Sequence, residues 1–327
     1  MSDLGNLRTA LKPVKRMPAP KTLPRIEASD FTRDLDLSQD ELLALLNLTQ
    51  QVKTAPPRFA KALAGRYISL LFEKPSLRTR MTFELAIKQL GGDSVLNTGP
   101  VGDREPLKDV ARNLDRWTNA IVARTFSQTT IDELAHWSAV PVINALSDRF
   151  HPCQALADLF TLQEKFGDLR GLKLAFIGDG NNVAHSLMLS SLRLGMNFAI
   201  ATPPGYSPDA EVVAQAEALA AVSGGELVIT HDAVKAADGA QGIYTDVWAS
   251  MGQEHQKAQR LADFAPYQIN RSLFEKASDE AVFLHCLPAR RGEEVTDEVI
   301  ESAASVVFDQ AENRLHVQKA LLLMLIG

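Results

Sequence analysis

The segment EKPSLRTR, residues 73–80, places Ser76, Arg78, Thr79 and Arg80 within five positions, directly after the apolar run YISLLF. Two hydroxyls and two guanidiniums at a strand-to-helix turn suit an oxyanion. A helix N-terminus offers unpaired amides and a favourable dipole, the hydroxyls donate, and arginine forms bidentate pairs with phosphate oxygens. Pro75 presets the turn. Read in isolation, the same segment is equally a capped helix with a solvated arginine face; four such residues in five favour the anion site.

Other residues suit the same chemistry. Arg124 ends the apolar run AIVAR, where a side chain points into a cleft as readily as toward solvent. In HPCQ, His151 and Gln154 flank a proline at a helix start and can address one small ligand, although a lone histidine is more often structural. The segment IGDGNN, residues 177–182, follows a strand and opens a helix, but Gly178 and Gly180 are not followed by the third glycine of a dinucleotide fingerprint. In HCLP, Cys286 offers a thiol at a strand end; no triad can be read around it, and an inert thiol is the default.

These residues need a frame of alternating elements. Ser38 caps a leucine-rich helix that begins with QDELL. RYISLLF, DSVLN, AIVAR and VPVIN read as strands, and RTRMTFELAIKQLG, ending at Gly91, and EPLKDVARNLDRWT as helices. After one long helix, PCQALADLFTLQEKFG, the rhythm repeats. LKLAFIG, NFAIATP, ELVITH, GIYTDVW, AVFLHCLP and SVVFDQ read as strands, with helices from about Asn182, from about Pro208 and over TDEVIESA. The amphipathic AENRLHVQKALLLMLI forms the last helix. Alternation of this kind predicts an α/β chain of two lobes, each a parallel sheet flanked by helices, with the active site in the interdomain cleft at the strand C-termini.

Composition agrees with two cores and narrows the partners. A chain of 327 residues with 46% hydrophobic content exceeds what one core usually serves. No apolar run approaches the roughly 20 residues that span a bilayer, so no membrane partner is expected. A net charge of -6 argues against nucleic acid, whose backbone needs a basic face, while a small anion needs only a local cluster. Cys153 and Cys286 are too few for a disulfide framework and too far apart for a zinc pair, which points to a reducing, cytoplasmic setting. The first 27 residues, rich in proline and modestly basic, read as a flexible arm.

Taken in order, FEKPSLRTR, HPCQALAD, GDGNNV, DVWASMGQE and HCLP resemble the ornithine carbamoyltransferases over roughly residues 38–327. The resemblance implies a carbamoyl phosphate-binding domain at 1–149, with a C-terminal helix, 312–327, packing back on it, and an ornithine-binding domain at 150–311. It implies no metal or organic cofactor and assembly as a homotrimer or a multiple of trimers. The implied reaction is attack of the δ-amine of L-ornithine on carbamoyl phosphate through a tetrahedral intermediate, giving citrulline and phosphate.

Carried over by motif, Ser76, Leu77, Arg78 and Thr79 would bind the phosphate; Leu77 stands where many relatives have threonine, a departure that matters little where the position contributes its backbone amide. Arg124, His151, Gln154 and Leu287 would address the carbamoyl group, and Arg314 would return to the phosphate. Asn182, Asp246, Ser250, Met251 and Cys286 would hold ornithine. Thr79, Arg124, His151 and Cys286 are the implied catalytic residues, with no nucleophilic role needed for the thiol. Relatives often carry a glutamine or histidine near Pro100 that reaches a neighbouring subunit; no residue of NTGPVGDREPLKD is assigned that part. Asp246, suited to a free α-amino group, speaks against aspartate, N-acetylornithine or putrescine as the amine. The broken glycine fingerprint disfavours a nucleotide-binding oxidoreductase, and the near-complete motif set disfavours a non-catalytic anion-binding protein.

Overall fold

The computed structural model describes residues 23–249 and 256–327, so part of the expected arm, Ser250 and Met251 lie outside the described residues. The first lobe contains α1 (Gln39–Thr54), β1 (Tyr67–Phe72), α2 (Leu77–Gln89), β2 (Asp93–Thr98), α3 (Leu107–Trp117), β3 (Ala120–Arg124), α4 (Gln128–Trp137) and β4 (Val142–Leu146), followed by α5 (Pro152–Phe166). The second contains β5 (Lys173–Ile177), α6 (Asn182–Arg193), β6 (Asn197–Ala201), α7 (Ala210–Ser223), β7 (Leu227–Thr230), α8 (Ala233–Ala237), β8 (Gly242–Thr245), α9 (Lys257–Phe264), α10 (Arg271–Phe274), β9 (Val282–His285) and α11 (Asp297–Ile300). The chain ends in α12 (Val307–Ile326).

Both sheets are parallel. The first has strand order β2-β1-β3-β4 and the second β7-β6-β5-β8-β9. The order reverses between β1 and β3 and again between β5 and β8, and open parallel sheets bind ligands at such reversals, outside the strand C-termini. In the first sheet Phe72 pairs in register with Arg124, so the turn after β1 lies beside the arginine that ends β3. Central strands are apolar and covered on both faces, as expected of a parallel sheet: every residue of β3 is buried, while the edge strand β2 is largely exposed.

Local chemistry sets the boundaries. Ser38 accepts the amide of Glu41, whose carboxylate accepts the Ser38 amide in return, closing a capping box on α1. Gly91, at φ +87°, ends the α2 region, and a side chain there would meet the Ala60 carbonyl at 2.6 Å. The helix α4 has no counterpart in the sequence reading, although Ser127 caps it by accepting the Thr129 amide.

Two expectations are corrected. SVVFDQ is not a strand: Ser305 makes a single bridge to Phe283, and α12 then starts at Val307. The β-branched Val306–Val307 pair favours a strand locally, but helical spacing is what buries Gln310, Asn313 and Arg314 together. Residues 25–27 are not part of a flexible arm. Arg25 donates to the Gly327 carbonyl, and the Ile26 and Glu27 amides donate to the Met324 carbonyl and the Glu41 carboxylate.

The two long helices join the lobes. α12 packs against α1, α2 and α5, while α5 packs on α6 of the second lobe. Asp34, 4% exposed in a short 3-10 turn before α1, accepts Ser186 Oγ at 2.6 Å and Ser190 Oγ at 2.8 Å from α6. Ser186 in turn accepts the His151 amide at 2.9 Å, so this contact fixes the start of α5.

Candidate active site

Side chains from both reversal points meet in a cavity of about 550 Å³. The first lobe lines it with Lys74, Ser76, Leu77, Arg78, Thr79, Arg124 and His151; the second with Asn182, Asp246, Cys286 and Leu287; α12 adds Arg314. The turn after β1 is built as its sequence demands. Ser76 caps α2 and accepts the Thr79 amide, leaving the Leu77 and Arg78 amides at the helix start without helical acceptors. The Leu77 side chain is exposed, so its backbone is the part suited to a ligand. Arg80 turns away and pairs with Glu84 at 2.8 Å. Glu73 accepts the Val101 and Phe126 amides, holding the loops after β2 and β3 against the turn.

A buried cationic wall forms behind this turn. Thr79 Oγ1 accepts Arg314 Nη2 at 2.7 Å and Arg124 Nη1 at 3.5 Å. A hydroxyl has two acceptor positions and one proton, so the Thr79 proton is left to donate into the cavity. Arg124 Nε, Arg314 Nε and His151 Nδ1 are buried without a hydrogen-bond partner. Burial, with Arg314 beside it, pushes the Arg124 guanidinium down to about 10. Burial and the two arginines hold His151 well below the usual imidazole range, leaving a neutral ring with one N–H to donate. Buried cations and donors of this kind are costly unless an anion completes them.

The second lobe presents the opposite character. Asp246 accepts the Val247 amide at 2.8 Å, Asn181 Nδ2 at 2.9 Å and the Cys286 thiol at 3.1 Å. Burial and the adjacent Asp246 push Cys286 well above the usual thiol range, so it stays protonated. Asn182 lines the cavity while its amide donates to the Ser147 carbonyl at 2.7 Å. His285 is turned away from the cavity, accepting the Leu287 amide on Nδ1 and facing Glu294 through Nε2. Leu287 adopts φ +58° ahead of a cis peptide bond to Pro288. Gly180 has a packing role: a side chain there would meet the Pro208 nitrogen at 2.3 Å, so this loop is packed closely against its own lobe.

Gln154 does not line the cavity. It lies fully buried behind it, with Oε1 accepting Arg314 Nη1 at 3.0 Å. The sequence reading missed Lys74, 8% exposed, whose ammonium lies 4.6 Å from the Phe126 ring centroid and is lowered by burial and by Arg124. Its signal was available as a lysine between a buried strand and a turn proline. Asn181, which reaches Asp246, was also not singled out.

Comparison with known proteins accounts for both halves. Residues 29–164 match the aspartate/ornithine carbamoyltransferase carbamoyl-P binding domain, and residues 170–325 the Asp/Orn binding domain of the same family. A curated ornithine carbamoyltransferase of Gloeobacter violaceus is 50% identical over 308 residues, covering 92% of this chain and 97% of the relative. The chain belongs to the ornithine carbamoyltransferase family. The solved ornithine carbamoyltransferase of Pyrococcus furiosus superposes with a TM-score of 0.89 at 46% identity, covering 91% of this chain and 97% of that one. An N-acetyl-L-ornithine transcarbamylase variant complexed with PALAO is more distant, at 34% identity and a TM-score of 0.83, covering 91% and 100%. As a family member the chain is a carbamoyltransferase with a carbamoyl phosphate-binding and an ornithine-binding domain, and among the described residues no helix is long and apolar enough to cross a membrane.

Proposed function

We propose that this protein transfers the carbamoyl group of carbamoyl phosphate directly to the δ-amine of L-ornithine, releasing citrulline and phosphate. The observation that carries this reading is a cavity lined by Arg78, Arg124, Arg314 and His151, whose buried Arg124 Nε, Arg314 Nε and His151 Nδ1 have no protein partner, together with the Asp246 carboxylate in the same lining. The phosphate would sit at the start of α2, on the Leu77 and Arg78 amides, the Ser76 and Thr79 hydroxyls and the guanidiniums of Arg78 and Arg314. Lys74 adds a third cation to this dianion site. The carbamoyl oxygen would lie toward Thr79, Arg124 and His151.

Asp246 and Asn182 would hold the α-ammonium and α-carboxylate of ornithine, with Ser250 and Met251 completing that end, so that chain length presents the δ-amine to the carbamoyl carbon. Attack by the neutral amine builds a tetrahedral oxyanion. Each donor preorganised for that oxygen supplies on the order of 3 kcal/mol of barrier reduction. Phosphate then leaves and carries away the amine proton, so positioning and charge stabilisation supply the catalysis. Cys286, held protonated beside Asp246, acts as a neutral contact and not as a nucleophile. Self-association, as a trimer or a multiple of it, is supported by the exposed Leu77, Met81 and Leu85, spaced four apart on α2, and by Val95 on the adjacent edge strand.

The test is carbamoylation of four amines. N-acetylornithine lacks the α-ammonium and would leave Asp246 without its ligand, a loss of about 2 kcal/mol or more than tenfold in kcat/KM. L-Ornithine should be preferred over N-acetylornithine, putrescine and aspartate, and Asp246→Asn should lose most of the discrimination against N-acetylornithine. Equal or better use of N-acetylornithine by the unmodified protein refutes the assignment of the amine.

A further inference from the structure

Behind the cavity wall, a fully buried polar cluster runs between the lobes. Asp158, one turn after Gln154 on α5, accepts Gln154 Nε2 at 2.8 Å and Gln310 Nε2 at 2.6 Å on the same oxygen, Oδ1. Gln310 Oε1 accepts the His285 amide at 3.0 Å, and its Nε2 also approaches Tyr244 Oη at 3.1 Å. Gln154, Asp158 and Gln310 are all 0% exposed.

We propose that Asp158 is a positioning residue that fixes the direction of the Gln154 amide and, through it, the place of the Arg314 guanidinium at the phosphate end of the cavity. A side-chain amide has nearly the same shape when its oxygen and nitrogen are exchanged. Its direction must therefore come from its neighbours. Arg314 only donates, and an ionised carboxylate only accepts, so with these two at opposite ends Gln154 has one permitted orientation, oxygen to Arg314 and nitrogen to Asp158. Gln310 is oriented by the same logic, because the His285 amide can only donate. Both amides thus turn their NH2 groups to Asp158 Oδ1, Gln310 held at its far end by the His285 amide and Gln154 by Arg314, which also holds Thr79. With Asp158 replaced by asparagine, which presents either a donor or an acceptor, the direction of Gln154 rests on Arg314 alone, and the flipped amide, with its NH2 against the guanidinium, is no longer opposed at both ends.

The charged and titratable groups that face Asp158 are Arg314 from α12, the Tyr244 phenol from β8 and the Cys286 thiol after β9; its direct partners on α5 and α12 are neutral amides. Burial pushes the Asp158 carboxyl up to about 7 against the lowering effect of its amide donors, Tyr244 and Arg314. Once protonated it offers a donor as well as an acceptor, as asparagine does, and its orienting power weakens.

The inference rests on the reading of the cavity as a carbamoyl phosphate site, and the experiment separates the two. The unmodified protein is first assayed for citrulline from carbamoyl phosphate and L-ornithine. Absence of citrulline overturns that reading. With citrulline formed, Asp158→Asn is compared across pH 6 to 9. The expected result is a KM for carbamoyl phosphate raised about tenfold, with the KM for ornithine changed less than about twofold. The ratio of unmodified to variant kcat/KM for carbamoyl phosphate should be largest above pH 7 and fall toward one below it; ionisation of the substrates cancels in this ratio. If Asp158→Asn does not fold, Gln310→Met replaces it. That change removes a donor from Asp158, so the rise in carbamoyl phosphate KM on acidification should begin at higher pH than in the unmodified protein. A ratio flat in pH, equal effects on both substrates, or an unmoved profile in Gln310→Met overturns the role of Asp158.

Discussion

Replacing Arg314 by methionine separates what the cationic wall does for the fold from what it does for the ligand. The guanidinium, 3% exposed, makes two charge-assisted bonds, to Thr79 Oγ1 at 2.7 Å and to Gln154 Oε1 at 3.0 Å. Removing it leaves Gln154 Oε1 unsatisfied, at a cost of about 1–3 kcal/mol, and Thr79 Oγ1 with only the longer contact from Arg124. Against this, Arg314 presses on Arg124, whose guanidinium is lowered from 12.5 to about 10 by burial and by this neighbour. That drop corresponds to about 3 kcal/mol of destabilised charge, part of which is recovered when Arg314 goes. The two effects oppose each other, so the ligand-free variant should unfold within about 2 kcal/mol of the unmodified protein despite losing a buried ion. Binding has no such compensation: a dianion loses one of its cations and the orientation of the Thr79 hydroxyl, about 3 kcal/mol or roughly a hundredfold in affinity. Thermal unfolding and calorimetric titration, each with inorganic phosphate and with carbamoyl phosphate, read both quantities on one sample. Unchanged anion affinity in a folded Arg314→Met variant, or severe destabilisation of the ligand-free protein, would refute this account of the wall.

Three further outcomes follow from other parts of the site. Arg78→Ala should weaken carbamoyl phosphate binding by about 2–3 kcal/mol and lower turnover, because a half-buried guanidinium at the helix start is lost; unchanged affinity by calorimetry excludes it as a phosphate ligand. Cys286→Ser should keep turnover within about tenfold under the proposed direct attack by the amine, whereas a carbamoyl thioester trapped for mass spectrometry would establish covalent transfer. Asp34, raised to about 7 by burial against the opposing Ser186 and Ser190 hydroxyls, holds a proton in the folded protein that it loses near pH 4 when unfolded. The folded state thus binds more protons between about pH 4 and 7, and stability falls as pH rises through that window, by at most about 1.4 kcal/mol per pH unit. Asp34→Asn lacks this titration, so the stability of the unmodified protein relative to the variant should decline from pH 5 to 7 and level off above; a difference constant in pH argues against a protonated Asp34.

How far the sequence discloses this molecule depends on the range over which each feature is determined. Strands such as AIVAR and helices such as QDELLALLNLTQQVKT are encoded within a dozen residues, by burial on both faces or by a cap followed by apolar spacing, and the structure has them where the pattern puts them. SVVFDQ reads as a strand for the same local reason, yet the segment becomes α12 because Gln310 finds Asp158 and His285, and Asp309 finds Lys165, partners that lie far away in the sequence. The proposed anion site divides along the same line. Ser76, Arg78 and Thr79 stand together in one turn and announce themselves. Arg314 lies 235 positions from Thr79, and only resemblance to a family reached it. Lys74 went unread although it stands two residues before Ser76, because a lysine after a strand is ordinarily solvated. What marks it is that the loop bearing Phe126 covers it and no carboxylate pairs with it among the described residues. A buried ammonium without an ion pair among the described residues, near Arg124 in a cavity that Arg78 and Arg314 also line, concentrates positive charge there, and that concentration is what supports a doubly charged oxyanion as the proposed ligand.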